Sequence, residues 1–121
     1  MRYTISEMAS LLGVTTHTLR YYEKMGLIRP EVNEETGYRY YTVTDTRRFN
    51  LCRELRAAEL SLEECRELIG SPSVEQSDKM FARQAARLRR RQVLDELSIH
   101  FLEKMQEQYR TLCLLYTSDA A

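Results

Sequence analysis

The chain has 121 residues, of which 43% are apolar and 30% charged, and its 18 basic and 18 acidic side chains cancel. This length suits one small domain with an appendage, and no apolar run approaches the roughly 20 residues that cross a membrane. Because no export signal precedes the first structured pattern and the three cysteines suggest no paired framework, we expect reduced thiols and a cytoplasmic location. Because the net charge is zero, any affinity for a nucleic acid must come from the placement of basic side chains and not from bulk charge.

No enzyme signature stands out in this sequence. It lacks a glycine-rich phosphate loop, a Ser/His/Asp set and paired catalytic acids, and it holds only two histidines. Cys52 and Cys65 fall on apolar rows of separate predicted helices, which favours core filling over metal binding. We therefore expect no enzymatic activity and no cofactor.

Four segments begin with the same helix-starting signal, a Ser or Thr followed three residues later by an acid or a glutamine. The hydroxyl accepts a hydrogen bond from an early backbone N–H, and the later side chain reaches back to the start of the helix. These signals are Thr4–Glu7, Thr42–Asp45, Ser61–Glu64 and Ser73–Gln76. They predict a mainly α-helical protein.

The first two predicted helices form a helix-turn-helix. Apolar residues recur at helical spacing over residues 5–12, and Gly13 is suited to end that helix in a left-handed conformation. Thr15 then caps a second helix in which Leu19 points inward. The residues expected to point outward from this helix are Thr16, His17, Arg20, Tyr21 and Lys24.

A two-stranded wing is predicted to follow. The segment 27–29 is short and largely apolar, and Pro30 restricts it to an edge strand. Residues 33–37 are rich in turn formers, and residues 38–41 are rich in strand formers. A period of two places Arg39 and Tyr41 on one face of the second strand, with Tyr38 and Tyr40 on the other.

Two further helices complete the predicted domain. Residues 43–58 carry Phe49, Cys52 and Leu55 as an inner row, and residues 62–69 form a shorter amphipathic helix. Gly70, Ser71 and Pro72 form the clearest break in the chain, so we place the limits of the first domain at 1–70.

One long helix is predicted over residues 73–112. At 1.5 Å per residue it is about 60 Å long. The helical spacing of its apolar stripe is interrupted across residues 89–92, and no other element is predicted to cover that stripe. We therefore expect a homodimeric coiled coil with a second copy of the chain. The residues expected at the dimer contact are Leu88, Leu94, Leu97, Phe101, Met105 and Leu112.

The outward residues of the second helix suit contact with double-stranded DNA. Thr16 and His17 lie near the helix N-terminus, where side chains reach base edges in the major groove. Arg20 suits a phosphate, as does the hydroxyl of Tyr21, and the alternative is that these polar groups are merely solvated. In the wing, Arg39 is expected to contact a phosphate or to form a surface salt bridge, and Tyr38 to contact DNA or to pack on the protein.

The sequence resembles the MerR family of bacterial transcription regulators. The resemblance rests on residues 3–30 (YTISEMASLLGVTTHTLRYYEKMGLIRP), residues 36–45 (TGYRYYTVTD) and residues 59–69 (ELSLEECRELI), which match the N-terminal domain of that family in order and spacing. It implies a winged helix-turn-helix dimer that binds a near-palindromic promoter and distorts an overlong spacer, in response to an effector, for RNA polymerase. It also implies phosphate contacts by Arg20, Tyr21 and Arg39, whereas His17 stands where many members have Lys or Arg.

Several finer predictions accompany this resemblance. The wing and the Arg-rich long helix look more like the members that bind drug-like molecules than like the metal sensors. We expect any small-molecule effector to act only through a C-terminal domain that is missing here. Residues 113–121 (CLLYTSDAA) break the charged pattern and read as a translated adapter sequence, so we expect a non-native tail. The alternatives to a transcription regulator are an architectural, excisionase-like DNA-binding protein and a helix-mediated adaptor without a role on DNA.

Overall fold

A computed structural model describes the backbone of residues 1–120 and the side chains of residues 1–117. The order of elements is α1 (Ile5–Leu12), α2 (Thr16–Lys24), β1 (Glu31–Val32), β2 (Arg39–Tyr40), α3 (Val43–Ala57), α4 (Leu62–Gly70) and α5 (Val74–Ala120). The predicted fold class, a mainly α winged helix-turn-helix followed by a long helix, is confirmed. The chain divides into two compact units after Met80, which lies in α5 and is buried. The non-helical residues 71–73 separate α4 from α5, close to the predicted break.

The helix-turn-helix has the local geometry that its sequence predicts. Thr4 and Glu7 form a reciprocal capping box at the start of α1, and Gly13 ends the helix at φ 70° and ψ 34° in the left-handed region that glycine tolerates best. The hydroxyl of Thr15 accepts a hydrogen bond from the backbone N–H of Thr18 over 3.1 Å, which starts α2. A short turn therefore sets the angle between the two helices.

Two hydrophobic clusters hold the first unit together. One cluster joins α1, α2 and α3 to the wing and contains Met8, Ala9, Leu19, Ile28, Tyr41 and Phe49. The other lies between α3 and α4 and contains Leu27, Cys52, Leu55, Leu60, Cys65 and Ile69. The predicted inner row of α3, namely Phe49, Cys52 and Leu55, is buried and therefore confirmed.

The predicted first strand of the wing is wrong. Leu27 and Ile28 are consecutive core residues, 0% and 1% exposed, each packed in a different cluster, and they form no strand. The strand β1 lies beyond Pro30, with Glu31 opposite Tyr40 and Val32 opposite Arg39 in an antiparallel pair. Burial of two adjacent apolar side chains on different sides of the chain, and not the pleat of a sheet, explains the apolar residues before Pro30.

Two contacts anchor the wing to the helices. Tyr41 follows β2 and exchanges backbone hydrogen bonds of 2.8 and 2.7 Å with Tyr3, at the start of the chain. The buried carboxylate of Asp45 accepts hydrogen bonds from the backbone N–H groups of Arg29, over 3.1 Å, and Thr42, over 3.0 Å. Because a buried carboxylate is stable only when hydrogen-bonded, Asp45 ties the segment before the wing to the start of α3.

The helix α5 has 47 residues and is about 70 Å long at 1.5 Å per residue. Its backbone is continuous across residues 89–92 and through residues 113–120. Of the expected dimer residues, Leu94, Leu97, Phe101 and Leu112 are exposed, and Leu88 and Met105 are half-buried. The origin of residues 113–121 stays a prediction, and Ala121 lies outside the described residues. Within the part of the chain that the structure describes, no helix is long and apolar enough to cross a membrane.

Candidate nucleic-acid interface

The outward face of α2 presents most of the residues that the sequence assigns to it. Leu19, 0% exposed, fixes the rotation of the helix on the core. His17, Arg20, Tyr21 and Lys24 are exposed on the other side, as predicted. The prediction for Thr16 is only partly met, since this residue is half-buried. It lies three residues before Leu19 and thus on nearly the same side of the helix.

Arg39 lies beside α2, because the wing folds back to that helix. Its Nε atom donates a hydrogen bond of 2.8 Å to Oε1 of Glu23, and the two side chains form an ion pair. This hydrogen bond, together with the charge of Glu23, raises the pKa of the Arg39 guanidinium above its usual value. The salt bridge expected as one alternative for Arg39 is therefore present, and its hydrogen bond among the described residues uses the Nε of the guanidinium.

Glu23 is not among the functional residues predicted from the sequence. It is an acid on a helix face that otherwise carries basic residues, three positions after Arg20, and that reversal of charge is the signal by which it could have been found. Together Arg20, Glu23, Lys24 and Arg39 line a cleft of about 340 Å³. Three cations share this cleft with one carboxylate, so its net positive charge suits an anion.

The tyrosines of the wing divide into a core residue and surface residues. Tyr41 is fully buried, while Tyr40 is half-buried and Tyr38 is 67% exposed. Burial raises the pKa of Tyr41, and the nearby Glu23 carboxylate raises that pKa further. Tyr38 therefore does not pack in the core, and its contact with DNA stays a prediction.

Cys52 and Cys65 are buried neighbours on α3 and α4 and fill the core, as predicted. Burial, together with the charge of Cys52 and a hydrogen bond with it, raises the pKa of Cys65 to about 11. The pKa of Cys52 is also raised, chiefly by burial. Both thiols are therefore protonated near neutral pH, and no cluster of three metal-binding side chains occurs among the described residues.

Comparison with known proteins identifies one family. The family model described as MerR HTH family regulatory protein matches residues 3–71. The transcriptional regulator ZntR of Escherichia coli K12 is 43% identical over 67 residues, which are 55% of this chain and 48% of ZntR. The uncharacterized HTH-type regulator YyaN of Bacillus subtilis is 33% identical over 113 residues, or 91% of this chain and 80% of YyaN.

Solved structures share the fold. HiNmlR, a MerR family regulator lacking the sensor domain and bound to promoter DNA, matches 92% of both chains with a TM-score of 0.65 and 23% identity. The chain spans about half the length of the ZntR and CueR relatives that it matches.

Proposed function

This chain belongs to the MerR family of helix-turn-helix regulatory proteins, and we propose that it regulates transcription by binding promoter DNA as a homodimer. Its relatives are transcriptional regulators, which agrees with the predicted class and with the prediction that the chain is not an enzyme. Because bacterial promoter DNA lies in the cytoplasm, the cytoplasm is the proposed site of action of this chain.

One observation supports the proposal above all: the exposed basic face of α2 adjoins the wing. His17 is exposed near the start of α2, where side chains reach base edges in the major groove. Arg20 and Tyr21 follow on the same exposed face, and Arg39 lies beside them in the wing. In this proposal Arg20, Tyr21, Lys24, Tyr38 and Arg39 bind the sugar-phosphate backbone and His17 faces the bases, while the half-buried Thr16 lies at the edge of that contact.

The exposed apolar residues of α5 support the homodimer. Leu94, Leu97 and Phe101 are 56%, 62% and 58% exposed in the single chain, and a row of this kind on a charged helix is typical of a coiled coil. Two copies related by a two-fold axis bring two recognition helices to a near-palindromic site. The regulatory step that we propose is distortion of the DNA between the half-sites, to the benefit of RNA polymerase.

Replacing Arg20 with alanine tests the phosphate contacts. We expect affinity for every duplex to fall, and the slope of log affinity against log salt concentration to become shallower by about 0.9 for the one lost phosphate. Fluorescence titrations of the whole chain at several salt concentrations measure both quantities. Arg66→Ala on α4 removes the same charge elsewhere and should leave the slope unchanged; an equal change in both variants contradicts the assignment.

Replacing His17 with alanine tests base readout. If His17 contacts a base edge, we expect the preference at one position of the site to weaken by about 1–3 kcal/mol, with other positions unaffected. Competition between duplexes that differ at single base pairs measures this preference. His100→Ala, which removes the other histidine of the chain from α5, should change nothing. A uniform loss on all duplexes after His17→Ala assigns the side chain to the backbone of DNA instead.

A further inference from the structure

We propose that Glu23 is a positioning residue of this interface, which holds Arg39 by Nε so that both Nη groups of the guanidinium face one phosphate. The inference rests on the proposed function, and it gives a role to the one acid that lines the basic cleft. Glu23 itself does not contact DNA in this arrangement.

The geometry of the ion pair is the first argument. Among the described residues, the hydrogen bond of the Arg39 side chain to Glu23 is donated by Nε, over 2.8 Å. A guanidinium is a rigid planar fork, so a carboxylate on Nε fixes the plane while the Nη donors stay available for a second partner. Phosphate oxygens match that pair of donors in a bidentate contact.

The exposure of the two side chains is the second argument. The carboxylate side chain of Glu23 is 24% exposed and the side chain of Arg39 is 47% exposed. The acid therefore lies behind the base, and a phosphate that approaches the cleft meets the guanidinium first. Placement of Glu23 in front of Arg39 would instead have indicated competition with DNA.

The backbone near each partner is held to the core of the first unit, which makes the orientation useful. Glu23 lies on α2 one turn after the buried Leu19. Arg39 pairs with Val32 in the wing and precedes by two residues the buried Tyr41, whose backbone is hydrogen-bonded to Tyr3. The side chain of Arg39 is thus ordered before DNA binds, so the entropic cost of ordering it does not weaken the complex.

The charge of the cleft separates positioning from simple repulsion. Arg20, Lys24 and Arg39 share the cleft with Glu23, so removal of the acid makes the face more positive. By charge alone, Glu23→Gln should tighten binding to every duplex. By positioning, the same variant should weaken binding to a preferred duplex, because Arg39 is no longer pre-ordered. The two effects have opposite signs on the preferred sequence.

The test uses the whole chain and two duplexes of equal length. One duplex is enriched by the unmodified chain from a random-sequence library, and the other is drawn from the library before enrichment. For Glu23→Gln we expect affinity for both duplexes to fall, by about three- to tenfold for the enriched one, because the phosphate contact of Arg39 is common to every sequence. Glu54→Gln removes the same charge from α3 and should not reduce affinity for either duplex.

Arg39→Lys shows whether Glu23 acts through Arg39. Lysine keeps the charge but lacks the fork, so we expect a loss on the enriched duplex similar to that of Glu23→Gln. The double variant should lose little more than either single variant, because both remove the same arrangement. Additive losses, or tighter binding of Glu23→Gln to both duplexes, overturn the proposal.

An NMR measurement follows the ion pair without reliance on affinity. The Nε–H resonance of Arg39, assigned by its loss in Arg39→Lys, should be protected from exchange in the free chain and should stay protected when the enriched duplex is added. Loss of protection on binding means that phosphate displaces the carboxylate, which overturns the proposal while DNA binding stands. A library from which the chain enriches no duplex contradicts the proposed function itself, so the two failures are distinct.

Discussion

Replacing Leu19 with alanine will lower the free energy of unfolding of the first unit by about 2–5 kcal/mol. Leu19 is 0% exposed and packs in the cluster that joins α1, α2 and α3 to the wing. Alanine removes most of its side chain and leaves a cavity that a small core repairs only in part. Since small domains are stable by about 5–15 kcal/mol, this loss is a large share of the total.

Urea denaturation followed by circular dichroism measures this effect on the full chain. Leu11→Ala is the matched control, because Leu11 is also a leucine of the helix-turn-helix but is 60% exposed on α1. We expect that control to change the stability by less than about 0.5 kcal/mol. Comparable losses in the two variants would mean that Leu19 is not the point where the helices and the wing meet. Destabilisation of Leu19→Ala should also weaken DNA binding, because the orientation of α2 depends on that contact.

The helices were predictable from local chemistry. The capping pair Thr4–Glu7 and the left-handed Gly13 set the bounds of α1, and the structure has the same bounds. The inner row of α3 followed from helical spacing, and Phe49 and Cys52 are buried as expected. These features depend on residues a few positions apart, which a sequence displays directly.

The wing was only partly predictable, because its geometry depends on contacts distant in sequence. Leu27 and Ile28 have the composition of a strand, but their burial in two clusters is decided by helices that come before and after them. The strands themselves are two residues long and are exposed or half-buried, so they show no apolar alternation. The backbone pairing of Tyr41 with Tyr3 joins positions far apart in the sequence and has no local signature.

The candidate interface shows the same division. Rotation of α2 about Leu19 follows from spacing, and His17, Arg20, Tyr21 and Lys24 are exposed as predicted. Arg39 could be named from the sequence, but its partner could not, because Glu23 precedes it by 16 positions and meets it only after the wing folds. Contacts of these residues with DNA stay predictions, which the variants of Arg20, His17 and Glu23 test.

Replacing Phe101 with aspartate will separate the proposed dimer into monomers and lower affinity for a duplex with two half-sites by about 10²- to 10⁴-fold. Phe101 is 58% exposed in the single chain, and a charge at the centre of a coiled-coil contact has to be buried without a partner. Sedimentation equilibrium measures the association, and titration of the two-site duplex measures the affinity. Affinity for a duplex with one half-site should not change, since α2 and the wing are untouched.

The control for this experiment follows from helix geometry. At 3.6 residues per turn, Leu94, Leu97 and Phe101 lie within an arc of about 60°, and Leu112 falls in the same arc. Gln106 is exposed and lies about 140° from Phe101 around the helix, so Gln106→Asp should leave both the dimer and DNA binding intact. Leu88 lies about 120° beyond the edge of that arc, although α5 is continuous there. The interruption of the apolar spacing across residues 89–92 is therefore a change of face along one helix. Leu88→Asp should accordingly weaken the dimer less than Phe101→Asp. A dimer that survives Phe101→Asp but not Gln106→Asp would place the contact on the opposite face of α5.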